Sequence, residues 1–97
     1  MIDSNPEALE KQLRDLFKDA LPDQAVYDIH AAMTLAKVLE GRGFTFQLKD
    51  LYPKSMTETG WRAVFSKDGV SFSADDPQSA MAVCRAAADA AALELDT

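Results

Sequence analysis

Cysteine and histidine occur once each, at Cys84 and His30. A single thiol closes no internal disulfide, so the sequence does not describe a small secreted scaffold held by bridges. One thiol and one imidazole also fall short of the four ligands of a structural zinc site, and no carboxylate run has calcium-loop spacing. No stretch approaches the roughly 20 apolar residues of a membrane span. The opening residues, MIDSNPEALEK, have neither a basic start nor an apolar run, and carry the expectation of no signal peptide. Positive charge is scarce: ten Lys and Arg face sixteen Asp and Glu, a formal net charge of −6. Nucleic acid and anionic membrane attract cationic surfaces, so this balance argues against nonspecific binding to either. Four glycines and four prolines are few enough to act as punctuation. With 97 residues, 47% of them hydrophobic and 27% charged, the composition is that of one small globular domain.

What is present divides into helix and strand by its period. Leu9, Leu13, Leu16, Phe17 and Ala20 recur at spacings of three and four, predicting a helix from about Glu7 to Ala20 with one apolar stripe. Ser4 or Asn5 is placed to cap it, and Pro6 stands where a missing N–H costs nothing. Leu21-Pro22 closes the helix and is the candidate junction between an N-terminal amphipathic element, residues 1–22, and a domain over 23–97. A second helix is expected from Asp23 or Gln24 to Glu40, with Val26, Ile29, Met33, Ala36 and Val38 or Leu39 on its apolar side. Gly41-Arg42-Gly43 stops it, because glycine reaches the left-handed cap without a Cβ penalty.

The period then drops to two. Phe44, Phe46 and Leu48 alternate with polar residues, as do Trp61, Ala63 and Phe65, then Val70, Phe72 and Ala74, which predicts three strands. Asp68-Gly69 between the second and third is a tight hairpin turn. Residues 50–60, DLYPKSMTETG, lack periodicity and read as a long loop, a common location for function. Asp75 or Asp76 and Pro77 open a last helix, expected from Pro77 to Leu95 and rich in alanine from Ala80 to Ala92. The fold class is therefore α+β: a three-stranded antiparallel meander packed against two helices, in α-β-β-β-α order, with an additional N-terminal helix. One sheet face carries the phenylalanines with Trp61 and Val70. The other carries Thr45, Gln47, Lys49, Arg62, Val64, Ser71 and Ser73, and is either solvated or covered by the N-terminal helix as a three-layer sandwich.

Three segments carry a resemblance: DIHAAMTLAKVLEGRGFTFQL, GWRAVF and PQSAMAVCRAAADAAAL. The last holds Val83, Cys84, Arg85, Ala86 and Ala87 where the related helices have an Ile/Val-Cys-Arg-Ala-Ala run. On these motifs residues 28–95 resemble the small phage and prophage proteins grouped as the phage ABA sandwich domain family. The resemblance implies an α+β fold and a phage or prophage context in the cytoplasm of a bacterial host. It brings no catalytic residues and leaves residues 1–22 outside it. The helix, three strands, helix order is also similar to a double-stranded-RNA-binding domain. Such domains grip phosphate with lysines at the start of the last helix. Here that stretch is Asp75, Asp76, Pro77, Gln78 and Ser79, whose carboxylates repel phosphate.

Catalytic signals are weak. A His30–Cys84 nucleophilic pair has no third orienting group, and mid-helix Cys84 reads as a small buried hydrophobe. Asp75-Asp76 reads as a helix cap, and Gly41-Arg42-Gly43 follows a helix instead of opening one, the reverse of a phosphate loop. No enzyme activity, cofactor or metal is expected. Trp61 reads first as a core anchor, but with Tyr52, Met56 and Arg62 it also belongs to the residue types enriched at interfaces. The stripe of Leu9, Leu13, Leu16 and Phe17 needs burial, either within the chain or against a partner. These eight residues are the candidate partner-binding set. The expected function is that of a small acidic phage accessory protein acting as a non-catalytic protein-binding module. Its partner would be a host or phage protein, and inhibition of a host defence or regulatory protein is one form the binding could take. A homodimer, a virion-associated homo-oligomer and a double-stranded-RNA-binding-like module are the alternatives.

Overall fold

Leucines three and four residues apart wind into α1 (Pro6–Phe17), which buries Leu9, Leu13 and Phe17 on one side. These observations come from a computed structural model that describes residues 6–54 and 56–96. The expected Ser4 or Asn5 cap lies outside the described residues. The α-helix ends three residues before Ala20, because Lys18 takes a left-handed φ of 53° and Lys18–Ala20 tightens into a 3-10 turn.

The second helix starts later than its apolar spacing suggested. Residues 23–27 form turns, with Gln24 at a left-handed φ of 65° and its carbonyl accepting from Tyr27 and Asp28 N–H. Asp28 is then extended, and its carboxylate accepts from His30 N–H at 2.9 Å, which caps α2 (Ile29–Glu40). The apolar stripe rotates accordingly. Ala32, Leu35, Ala36 and Leu39 are buried, while Met33, expected inside, is 36% exposed. Val26 is buried from the turn and not from the helix.

Alternating residues form β1 (Thr45–Asp50), β2 (Trp61–Lys67) and β3 (Val70–Asp76), an antiparallel sheet in sequence order. Phe44 precedes β1 and is buried, edge-on to Phe65 at 6.4 Å between ring centroids. Phe46, Phe65 and Phe72 align across the three strands, as do Leu48, Ala63 and Ala74. The hairpin closes through Asp68 (φ 53°) and Gly69 (φ 82°), the pair of positive φ angles that a two-residue hairpin loop requires. Val70, expected on the inner face, is 46% exposed beside this turn. β3 is two residues longer than expected: Asp75 and Asp76 belong to the strand, and α3 begins at Ser79 and runs to Asp96.

α3 crosses the inner face of β2 and β3, with α2 beside it. Alanine makes this possible, since Ala82, Ala86, Ala87, Ala90 and Ala91 are buried and leave no long side chains between helix and sheet. α1 packs on α3, not on the polar sheet face and not chiefly on α2. The three-layer alternative is therefore not adopted: Thr45, Gln47, Lys49, Arg62, Ser71 and Ser73 remain exposed. One continuous core joins Leu9, Leu13 and Phe17 to the residues of the remaining elements. No helix among the described residues is long and apolar enough to cross a membrane.

Candidate functional site

The long loop between β1 and β2 is tied at its base. Leu51 N–H donates to the Gly60 carbonyl at 2.9 Å, and Tyr52 N–H donates to the Asp50 carboxylate at 3.0 Å. The Tyr52 ring lies against Gly60 so closely that a Cβ there would stand 2.7 Å from the ring. Tyr52 still exposes 45% of its surface, and Met56 further along the loop is fully exposed. Trp61 points to the inner face, half-buried against the core, whereas its neighbour Arg62 projects from the outer face. The four interface-type residues therefore do not form one patch: alternation along β2 separates Trp61 from Arg62. Leu9, Leu13 and Phe17 serve the core and Leu16 packs against it, so the intrachain use of that stripe is the one observed.

Arg62 and Leu9 do meet, at an open groove with a volume of about 850 Å³. Ala8, Leu9 and Gln12 of α1 make one wall, and Arg62, Val64, Ser71, Ser73 and Asp75 of the sheet make the other. Met81, Arg85, Ala88 and Asp89 of α3 lie between them. Sequence reasoning missed the α3 contribution. Its signal was available: Met81, Arg85 and Asp89 recur every four residues through the alanine run, one row of larger side chains along a helix face.

Three of the four charged residues lining the groove are in ion pairs. Arg62 forks onto Asp75 through Nε to Oδ1 at 2.8 Å and Nη2 to Oδ2 at 2.9 Å. These hydrogen bonds hold the Asp75 carboxyl below its ordinary range and raise the Arg62 guanidinium further. Arg85 Nη1 donates to the Asp75 carbonyl at 3.2 Å and to Asp76 Oδ2 at 3.4 Å, while Asp76 Oδ1 accepts from Gln78 N–H. The two carboxylates read as alternative caps for α3 are thus divided: Asp75 is a cross-strand partner, and Asp76 fastens the end of β3 to α3. Asp89 has no ion pair among the described residues, and partial burial pushes its carboxyl up against the opposing pull of Arg85.

Cys84 and His30 do not form a pair. Cys84 is fully buried, its Sγ donates to the Ala25 carbonyl at 3.3 Å, and burial pushes the thiol up to about 12, aided by the charge of Glu10. A thiol held protonated is no nucleophile at neutral pH. His30 is exposed in the first turn of α2. Among the described residues no group of three or more His, Cys, Asp or Glu is placed to hold a metal ion.

No protein-family model matches the chain, and neither the curated proteins nor the solved structures give a significant match. The resemblance of residues 28–95 to the phage ABA sandwich family stands on its sequence motifs alone.

Proposed function

We propose that the chain is a non-catalytic protein-binding module, with the phage accessory role resting on the sequence resemblance. The observation that carries this reading is the open groove between α1, α3 and the sheet. It combines half-buried Val64, over a floor of buried Leu9 and Met81, with hydroxyls and a fixed Arg62–Asp75 fork. A concave surface mixing apolar contacts with a few oriented polar groups is suited to recognition. Three of its four charged groups are held in ion pairs, and none is arranged as an acid–base or nucleophile pair. The exposed Tyr52 and Met56 offer a second contact at the loop, and both residue types favour interfaces.

Capture from a bacterial lysate, with quantitative mass spectrometry of retained proteins, tests this reading. The expected result is one protein held in near-stoichiometric amount and released as salt rises. A paired Tyr52→Ser, Met56→Ser variant should retain less of it if the loop contributes. Repeated recovery of the chain alone would overturn the proposal.

A further inference from the structure

We propose that the free edge of β3 is a docking strand, and that its occupant is an extended, basic peptide segment of a partner protein, added to the sheet within the groove. This inference rests on the protein-binding reading and assigns it a mode and a partner chemistry.

The sheet ends at β3, so one side of that strand has no neighbouring strand among the described residues. Ser71, Ser73 and Asp75 on the outer face and Ala74 on the inner face all line the same groove. A cavity reached from both faces of one strand lies along that strand's edge. The backbone orientation agrees. In an antiparallel strand the N–H and C=O of one residue point to the same side, and successive residues alternate. Arg85 takes up the Asp75 carbonyl from outside the ladder, which turns Asp75 to the free side and Ser73 and Ser71 with it. The Asp75 carbonyl is already taken up, so the residues with both backbone groups open on the free side are Ser71 and Ser73, with about 6.8 Å between repeats.

Proteins usually protect such an edge with lysine, proline or a bulge. The segment VSFSADD contains neither lysine nor proline, and its pairing with β2 is unbroken from Val70 to Asp76. What stands beside it is a groove walled by α1, and an extended peptide between an edge strand and a helix is a recurrent mode of recognition. Alternate side chains of the peptide would meet the exposed Ala8 and Gln12 of α1, above the buried Leu9, Met81 and Ala88. The charge follows from what is left over. Arg62 and Arg85 are engaged with Asp75 and Asp76, while Asp89 lines the groove without an ion pair among the described residues. Together with a chain charge of −6, this favours a Lys or Arg side chain in the occupant.

The experiment selects binders to the full-length chain from a displayed library of random linear peptides, then titrates the enriched peptides by fluorescence anisotropy. Enriched sequences should carry Lys or Arg beside alternating apolar residues, and the Ser71 and Ser73 amides should shift in NMR spectra and gain exchange protection. Ser73→Pro deletes an edge donor without touching the β2 ladder and should weaken binding about tenfold. Asp89→Lys, at an exposed helix position, should weaken it about threefold or more and remove the preference for basic peptides. Ala8→Trp fills the groove from the exposed side of α1 and keeps the test decisive if the proline variant fails to fold. Enriched peptides that bind all three variants with unchanged affinity would overturn the inference, as would a library that yields no binder. A mass that doubles with concentration, and stays single in Ser73→Pro, would overturn it in favour of a second copy at the edge. A lysate protein held equally by wild type, Ser73→Pro and Ala8→Trp would overturn the edge while leaving the protein-binding reading intact. A wild-type chain that retains no lysate protein and selects no peptide would remove both.

Discussion

Asp75 and Asp89 line the same groove in opposite electrostatic situations. Hydrogen bonds from Arg62 depress the folded-state value of Asp75, so its contribution is present above the ordinary carboxylate range and is lost as pH falls through the depressed value. Burial raises Asp89, so the folded state favours its neutral form. That contribution is present below the ordinary carboxylate value and is lost as pH rises through the raised one. Asp89→Asn is therefore expected to stabilise the fold near pH 7, by no more than about 0.5 kcal/mol after solvent screening. The gain should vanish at about pH 3, where both states are protonated. Asp75→Asn should act in the opposite direction at neutral pH, with a difference from wild type that narrows below the ordinary carboxylate range and closes only below the depressed value. Urea unfolding at the two pH values checks both, and a neutral-pH loss of stability in Asp89→Asn would contradict the sign argued for it.

At the scale of elements, α1 is the part whose role changed most between sequence and structure. Its stripe of Leu9, Leu13, Leu16 and Phe17 was legible from spacing, but the surface it covers was not. A local pattern states that a face needs burial and carries no information about which distant face meets it. Leu9, Leu13 and Phe17 are all buried, and at roughly 1.5–3 kcal/mol each their burial is comparable with the whole stability of a small domain. Deletion of residues 1–21 is therefore expected to abolish the cooperative thermal transition seen by circular dichroism. A folded, monomeric remainder would show that α1 is dispensable to the core. Elsewhere the sequence was informative where cues were local: the Asp68-Gly69 hairpin and the alternation of the three strands are where pattern put them. It misled where a single residue left the regular conformation. Gln24 in the left-handed region removes five residues from the expected second helix, a choice that apolar spacing cannot register. The groove was harder still, because it joins residues from α1, α3 and the sheet that no local motif connects.

For the whole molecule, sixteen acids against ten bases make self-repulsion the leading long-range effect. Of the described ion pairs, Arg14–Glu10 and Arg62–Asp75 are solvent-facing and contribute little to begin with, and Arg85–Asp76 is partly buried and screened less, so added salt takes little from them. Raising salt from about 0.01 M to about 0.15 M should raise Tm by roughly 1–4 °C. Calorimetry checks this, and a fall would mean that the paired charges outweigh the excess. The alanine-lined seat of α3 has a different consequence, one for divergence. Ala82, Ala86, Ala87, Ala90 and Ala91 are packed with almost no solvent contact, and each added methylene in such a place costs about 1–3 kcal/mol. Amino-acid replacement is thus nearly closed to one stretch of the chain and open along the loop holding Met56 and across the outer sheet face. Descendants of this sequence would become unrecognisable first in that loop and across that sheet face, and last along the alanine-lined side of α3.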